Sequence, residues 1–196
     1  MKPALVVLAA GASERLGECK ALAAITPRSP LELLLAAGAI FDDAAPLVVT
    51  GADHERIQRA VPRGVAIAFN PQWRLGRTSG IQLARALRCG LDLCLAPVDV
   101  PIVPRAVFDA LSRAWHAAGA PAQGWLAPQH DSRFGHPIIV GRVLLEELST
   151  LAPDEPLQRL RTRAQPLFSI SVESAEVLDD LDIPADLALM RARFYH

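Results

Sequence analysis

The chain is most constrained by its opening stretch, Ala4-Leu5-Val6-Val7-Leu8-Ala9-Ala10 and then Gly11-Ala12-Ser13-Glu14-Arg15-Leu16-Gly17-Glu18-Cys19-Lys20. An apolar run of strand length, rich in Val and Leu, breaks into a small-residue loop with two glycines, a hydroxyl, an arginine and a lysine. Backbone can approach a phosphate only where Gly or Ala leaves room. Successive amides there aim donors at oxygens, while Arg15 and Lys20 supply charge. An ordinary strand-to-helix turn is the plain alternative. Neither standard phosphate motif is present: Gly-x-Gly-x-x-Gly needs a glycine at Ser13, and a P-loop needs Gly-Lys-Ser/Thr where the chain has Gly17-Glu18-Cys19.

Beyond this loop the chain alternates between strand-like and helix-like segments. Ser29-Pro30-Leu31-Glu32 has the hydroxyl, the first-turn proline and the acid of a capping box, and predicts a helix to about Phe41. Pro46–Thr50 reads as a strand, Asp53 as the cap of a short helix through Ala60, and Val65–Phe69 as a third strand. The breaker-rich loop Asn70–Gly80 empties onto a helix whose apolar residues are Ile81, Leu83, Ala84 and Leu87. Leu91–Pro97 predicts a fourth strand, and a helix is expected from Pro104 to near Gly119. Strands alternating with helices of this length predict an α/β fold, a three-layer α/β/α sandwich around a mostly parallel, Rossmann-like sheet, because parallel neighbours need crossover connections. In such sheets ligands bind outside the carboxyl ends of the strands, so these loops share one crevice. The second half predicts strands at Gly124–Ala127, Ile138–Val140 and Pro166–Val172, helical pieces at Arg142–Leu148 and Leu157–Arg163, and a C-terminal helix opening at Ile183–Leu187.

At 196 residues and 51% hydrophobic, the chain can bury a substantial core as a single domain over 1–196. A formal net charge of −1 argues against nucleic acid as a partner, since gripping its backbone takes an excess of Lys and Arg. No run approaches membrane-spanning length, and Met1-Lys2-Pro3 leads straight into a strand rather than an export signal. Cys19, Cys89 and Cys94 fit neither a disulfide framework nor a paired metal site. These features predict a cytoplasmic protein with reduced thiols and no membrane partner.

Asp99 sits at a strand's end between Val98 and Val100-Pro101. Mg²⁺ is typically held by one or two carboxylates plus nucleotide oxygens, so Asp99 with a distant partner suffices for a metal site; a turn or capping aspartate is the other reading. Asp182 is the natural partner, and with Pro184 close behind it also reads as a helix cap, a role that can coexist. Thr78 and Ser79, beside Gly76 and Gly80, either cap a helix or offer hydroxyls to a nucleotide. His136, between Gly135 and Pro137, is either a general base or a structural turn residue. No Gly-x-Ser-x-Gly elbow exists, and Cys19 has no evident base, so neither a serine hydrolase nor a thiol nucleophile is indicated.

Leu8–Lys20 resembles the loop LAAGxSxRxGxxK of the MobA-like NTP transferases, which include the molybdenum cofactor enzymes. Asn70-Pro71-Gln72-Trp73 with Gly76 and Ser79, Pro97–Pro101, Gly135-His136-Pro137 and Asp180–Leu187 come in the family's order. The Leu-Ala-Ala-Gly form, the Arg15-to-Lys20 spacing and Gly-His-Pro are similar to the cytidylyltransferase branch. The resemblance implies a sheet of the nucleotide-diphospho-sugar transferase type. It also implies nucleotide contacts from Leu8, Ala9, Ala10, Gly11, Ser13, Arg15, Lys20, Asn70 and Ser79, Mg²⁺ on Asp99 and Asp182, and His136 near the acceptor. Arg15, Lys20 and Asp99 would carry the chemistry. Val100, Gly80, Ile183 and Gln158 depart from the family's usual Gln, Ser, Thr and Arg.

The function so implied is Mg²⁺-dependent transfer of a nucleotidyl group, CMP from CTP, to a phosphorylated small-molecule acceptor, molybdopterin or the molybdenum cofactor, with release of pyrophosphate. A sugar-phosphate or polyol-phosphate nucleotidyltransferase is one alternative. A non-catalytic nucleotide-binding chaperone partnered with a molybdoenzyme is the other.

Overall fold

The computed structural model describes residues 1–194. In chain order it contains β1 (Ala4–Ala9), α1 (Pro30–Ala37), β2 (Leu47–Thr50), α2 (His54–Ala60), β3 (Ala66–Phe69), α3 (Arg77–Leu87), β4 (Leu93–Pro97) and α4 (Arg105–Ala117). Then come β5 (Trp125–His130), β6 (Arg133–Phe134), β7 (Ile138–Val140), α5 (Arg142–Glu146), β8 (Leu167–Ser171) and α6 (Pro184–Phe194). All eight strands join one sheet in the order β3-β2-β1-β4-β7-β5-β6, with β8 paired to β5. The first four are mutually parallel and β8 is parallel to β5, while β7 runs antiparallel to both β4 and β5, and β6 antiparallel to β5. Six strands therefore share one direction and two oppose it.

β1 is central because it is apolar on both faces. Leu5, Val7 and Ala9 pack with Leu31 and Leu34 of α1, Ile57 of α2 and Phe108, Leu111 and Trp115 of α4. Ala4 and Val6 pack on the other side with Ile81 and Ala84 of α3 and Leu144 and Leu145 of α5. A strand buried on both sides must read as a continuous apolar run, and helices on both faces make the three layers. No helix among the described residues is long and apolar enough to cross a membrane.

Local chemistry explains the element ends. The capping box forms: the Glu32 amide donates to Ser29 Oγ and the Ser29 amide to Glu32 Oε2. α1 stops at Ala37 rather than Phe41, and the chain continues as a 3₁₀ turn over Gly38–Ile40. Asp53 occupies the N-cap position of α2, but its side chain makes no capping bond; its carboxylate accepts instead from Arg56 Nη1 at 2.9 Å. α3 starts at Arg77, so Thr78, Ser79 and Gly80 lie in its first turn rather than in the preceding loop. The break before it is Gly76, whose φ of +143° favours glycine.

The parallel strands bring their C-terminal loops to one edge, where backbone bonds join them. The Ala52 amide donates to Ala10 O, the Asn70 amide to Thr50 O and the Val98 amide to Leu8 O. A side chain at Gly51 would put its Cβ 2.3 Å from Ala10 O and 2.6 Å from Trp73 Cβ, so glycine is what lets these loops meet. A third apolar cluster, Leu16, Ala23, Ile25, Ile102, Leu181, Leu187 and Met190, fastens the C-terminal segment to the first loop.

Candidate active site

The glycine loop closes on Ser13. Its φ of +56° turns the chain, its carbonyl accepts from the Leu16 and Gly17 amides at 3.1 Å each, and its Oγ accepts from the Lys20 amide at 3.0 Å. With Leu16, Ala23 and Ile25 buried behind it, the loop holds Arg15 and Lys20 toward one carboxylate. Lys20 Nζ lies 2.9 Å from Asp182 Oδ1, and Arg15 Nη2 lies 3.0 Å from Oδ2. The Lys20 side chain is 13% exposed and that of Arg15 71%, so Lys20 is the fixed charge and Arg15 the solvated one. The Lys20 hydrogen bond, with the charges of Lys20 and Arg15 adding, holds the Asp182 carboxyl below the usual carboxylate range. Asp186, in the first turn of α6, accepts with Oδ2 from the Asp182 and Ile183 amides at 2.8 and 2.9 Å and so ties the Asp182 segment to the helix start.

Asp99 comes just after β4, and its carbonyl accepts the Leu181 amide at 2.7 Å, which brings the two acid-bearing segments together. Its Oδ2 accepts from Arg77 Nη2 at 2.7 Å, while Oδ1 is buried with no hydrogen-bond partner among the described residues. Asp180 stands close enough that burial, then the charges of Asp99 and Asp182, raise its carboxyl above the ordinary value. Concentrated negative charge with a free buried carboxylate oxygen fits a hard divalent cation. Among the described residues no three His, Cys, Asp or Glu form a complete ion cage, so remaining ligands would have to come from water or phosphate.

Two cavities adjoin here. One, of about 330 Å³, is lined by Leu8, Ala10, Gly11, Ser13, Lys20 and Asp99, with Trp73, Gly76 and Gly80 opposite. The other, of about 290 Å³, is walled by Trp125, Ala127, Ile138, Phe134, His136 and Arg161. Leu8, Pro97 and Arg77 border both. Arg15 and Asp182 line an outer recess together with Ser13 and Lys20. The His136 amide donates to Val177 O, and its Nδ1 is buried with no partner among the described residues. Burial first, then the Arg77 charge, pushes its pKa down to about 4 against the opposing pull of Asp99, so the imidazole is neutral at pH 7.

Three expected residues lie off the cavity walls. Ala9 is in the core. Asn70 and Ser79 are each 3% exposed and bond to one another, Nδ2 to Oγ at 2.8 Å, with Ser79 Oγ also within bonding distance of Gly76 O and Gln72 O. Together they brace the turn beneath the first cavity. Thr78 Oγ1 donates to Glu155 O. Sequence reasoning gave no role to Arg77, Asp180 or Arg161. For Arg77 a signal existed: a cation in a helix's first turn opposes the helix dipole.

The family model described as MobA-like NTP transferase domain matches residues 5–167. The chain is 23% identical over 190 residues to molybdenum cofactor cytidylyltransferase of Escherichia coli (strain K12), covering 96% of this chain and 95% of that protein. In fold it is similar to the manganese complex of Rv0371C from Mycobacterium tuberculosis H37Rv, with a TM-score of 0.78, 21% identity and coverage of 98% and 99% of the two chains. It is also similar to CMP:2-keto-3-deoxy-manno-octonic acid synthetase complexed with CTP, with a TM-score of 0.77, 14% identity and coverage of 100% and 99%. A glycine loop on β1, two acids held by lysine and arginine at one sheet edge and a family match over most of the length agree: the chain belongs to the MobA-like NTP transferase family and is a nucleotidyltransferase.

Proposed function

We propose that the protein is a cytoplasmic, Mg²⁺-dependent cytidylyltransferase that moves CMP from CTP to a phosphorylated acceptor of the molybdopterin type. An acceptor phosphate oxygen attacks the α-phosphorus; the new P–O bond forms as the bond to the bridging oxygen breaks, and pyrophosphate leaves with its electron pair. The observation that carries the reading is the junction of two cavities at Leu8, Arg77 and Pro97, one lined by the glycine loop, Lys20 and Asp99 and the other by His136 and Trp125. The Escherichia coli relative is a cytidylyltransferase and one structural neighbour holds CTP, and both favour cytidine.

The residues divide the work. Amides and small side chains of Ala10, Gly11 and Ser13 admit the triphosphate, and Lys20 neutralises charge developing on the leaving pyrophosphate, with Arg15 adding from the outer recess. Asp99 and Asp182 would hold the divalent ion, which when bound supplies positive charge to phosphate oxygens. Asn70 and Ser79 keep the nucleotide-facing turn in place, and neutral His136 offers a hydrogen bond to the acceptor without adding charge. Alignment of attacker and leaving group, rather than covalent participation, is the main contribution.

The test is a thermal-shift panel of nucleotides with and without Mg²⁺, then pyrophosphate release across acceptors that include molybdenum-loaded pterin. A ligand that binds only the folded state raises the melting temperature by mass action. Stabilisation by Mg²⁺ with CTP above other nucleotides, and release with the pterin acceptor, are expected. Release with sugar or polyol phosphates alone would reassign the acceptor. Tight CTP binding with no release for any acceptor would make the protein a chaperone for a molybdoenzyme.

A further inference from the structure

Arg77 is the one charged side chain among the described residues that borders both cavities. It opens α3, where the helix dipole disfavours a cation, so the position carries a local cost that something must offset. Its only ion-pair partner among the described residues is Asp99, and its side chain is half-exposed, so the guanidinium is tethered but not trapped.

The second cavity lacks any other cation at that boundary. Arg161 is engaged over the Phe134 ring at 4.4 Å, and Glu155 is paired with Arg159 at 2.9 Å. Trp125, Ala127 and Ile138 give the cavity an apolar wall, and His136 contributes a buried ring nitrogen that lacks a partner among the described residues. The chemistry suits a flat or apolar body bearing one phosphate, with that phosphate turned toward Arg77 and Asp99.

We propose that Arg77 is the residue that selects a phosphorylated acceptor: its guanidinium exchanges the Asp99 carboxylate for the acceptor's phosphate monoester and holds the attacking oxygen at the junction of the two cavities. The inference rests on the nucleotidyl-transfer reading. A planar guanidinium offers two parallel donors to phosphate, which lysine does not reproduce.

Phenyl phosphate is the probe and benzyl alcohol its phosphate-free control, with binding to the full-length protein read by calorimetry and by tryptophan fluorescence. The wild type should prefer phenyl phosphate by about tenfold or more, the scale of one charge-assisted contact. Arg77→Met should bind the two probes alike, Arg77→Lys should fall between, and any change in Mg²⁺-CTP affinity should be smaller than the loss of phenyl phosphate affinity in both variants. Matching circular dichroism and the intermediate behaviour of Arg77→Lys separate loss of the charge from loss of the fold. A preference retained in Arg77→Met, no preference in the wild type, or an equal loss of CTP affinity would each overturn the assignment. Failure of the wild type to bind CTP would instead sink the nucleotidyl-transfer reading and leave the probe comparison standing.

Discussion

The Leu181 amide donates to the Asp99 carbonyl at 2.7 Å, so the segment bearing Asp182 is tied to the turn bearing Asp99 through backbone, independently of either carboxylate. The Leu181 side chain, fully buried, extends that tie into the cluster with Leu16, Ala23, Ile25 and Met190. Leu181→Ala should therefore lose about 2–5 kcal/mol of stability by urea denaturation and also blunt the thermal shift given by Mg²⁺-CTP. Ile183→Ala, two residues on and 43% exposed, should change stability by no more than about 0.5 kcal/mol. Equal effects would mean that the cluster does not position Asp182.

Lys20 and Arg15 meet the same carboxylate but differ in exposure, 13% against 71%. A fixed, dehydrated charge contributes more than a solvated one. Lys20→Ala should lower turnover on the order of a hundredfold, and Arg15→Ala clearly less, in steady-state pyrophosphate release. Near-normal turnover in Lys20→Ala with an intact fold would defeat its assigned role.

The His136 pKa falls from 6.5 to about 4 on folding, mainly through burial. Between these values the unfolded chain binds a proton that the folded one refuses, so stability rises with pH across this window and is lost as pH falls through it. In the proton NMR spectrum the His136 ring should not titrate between pH 8 and 6. In urea titrations His136→Gln should lose less stability than wild type on going from pH 7 to pH 5. A His136 midpoint near 6.5 would show that the ring is hydrated.

The layers and the glycine loop were legible because each is a local pattern: β1 is apolar at every position, and Ser29 with Glu32 specifies its own helix start. The start of α3 was not. Thr78, Ser79 and Gly80 have turn propensity, and what makes them helical is burial together with bonds to Glu155 O and Gly76 O, which no window of sequence contains. The direction of β7 was hidden for a similar reason, since Ile138-Ile139-Val140 is apolar throughout and reads alike either way. Asp53 sits at the N-cap of α2 as its sequence position suggests, but its carboxylate accepts from Arg56 Nη1 rather than from a helix amide. In the site, Lys20 and Asp182 are 162 residues apart, and Arg77 and Asp99 are 22 apart on different elements. Residue types named the candidates; only the sheet edge could pair them.

The Arg77–Asp99 pair also bears on metal binding. Asp99 Oδ2 is occupied by Arg77, so a divalent ion that uses both carboxylate oxygens must displace the guanidinium, whereas one content with Oδ1 need not. Because the Arg77 side chain is 53% exposed, the pair is worth only about 0–1 kcal/mol, which sets the size of the competition. Removing it in Arg77→Met should tighten Mn²⁺ binding to the nucleotide-free protein by up to about fivefold, read by electron paramagnetic resonance titration. Asp99→Ala should weaken Mn²⁺ binding in the same assay, since Asp182 alone, held by Lys20 and Arg15, is a poorer ligand. If Mn²⁺ binds Arg77→Met more weakly than wild type, the guanidinium is not a competitor but a brace that keeps Asp99 in its ligating position.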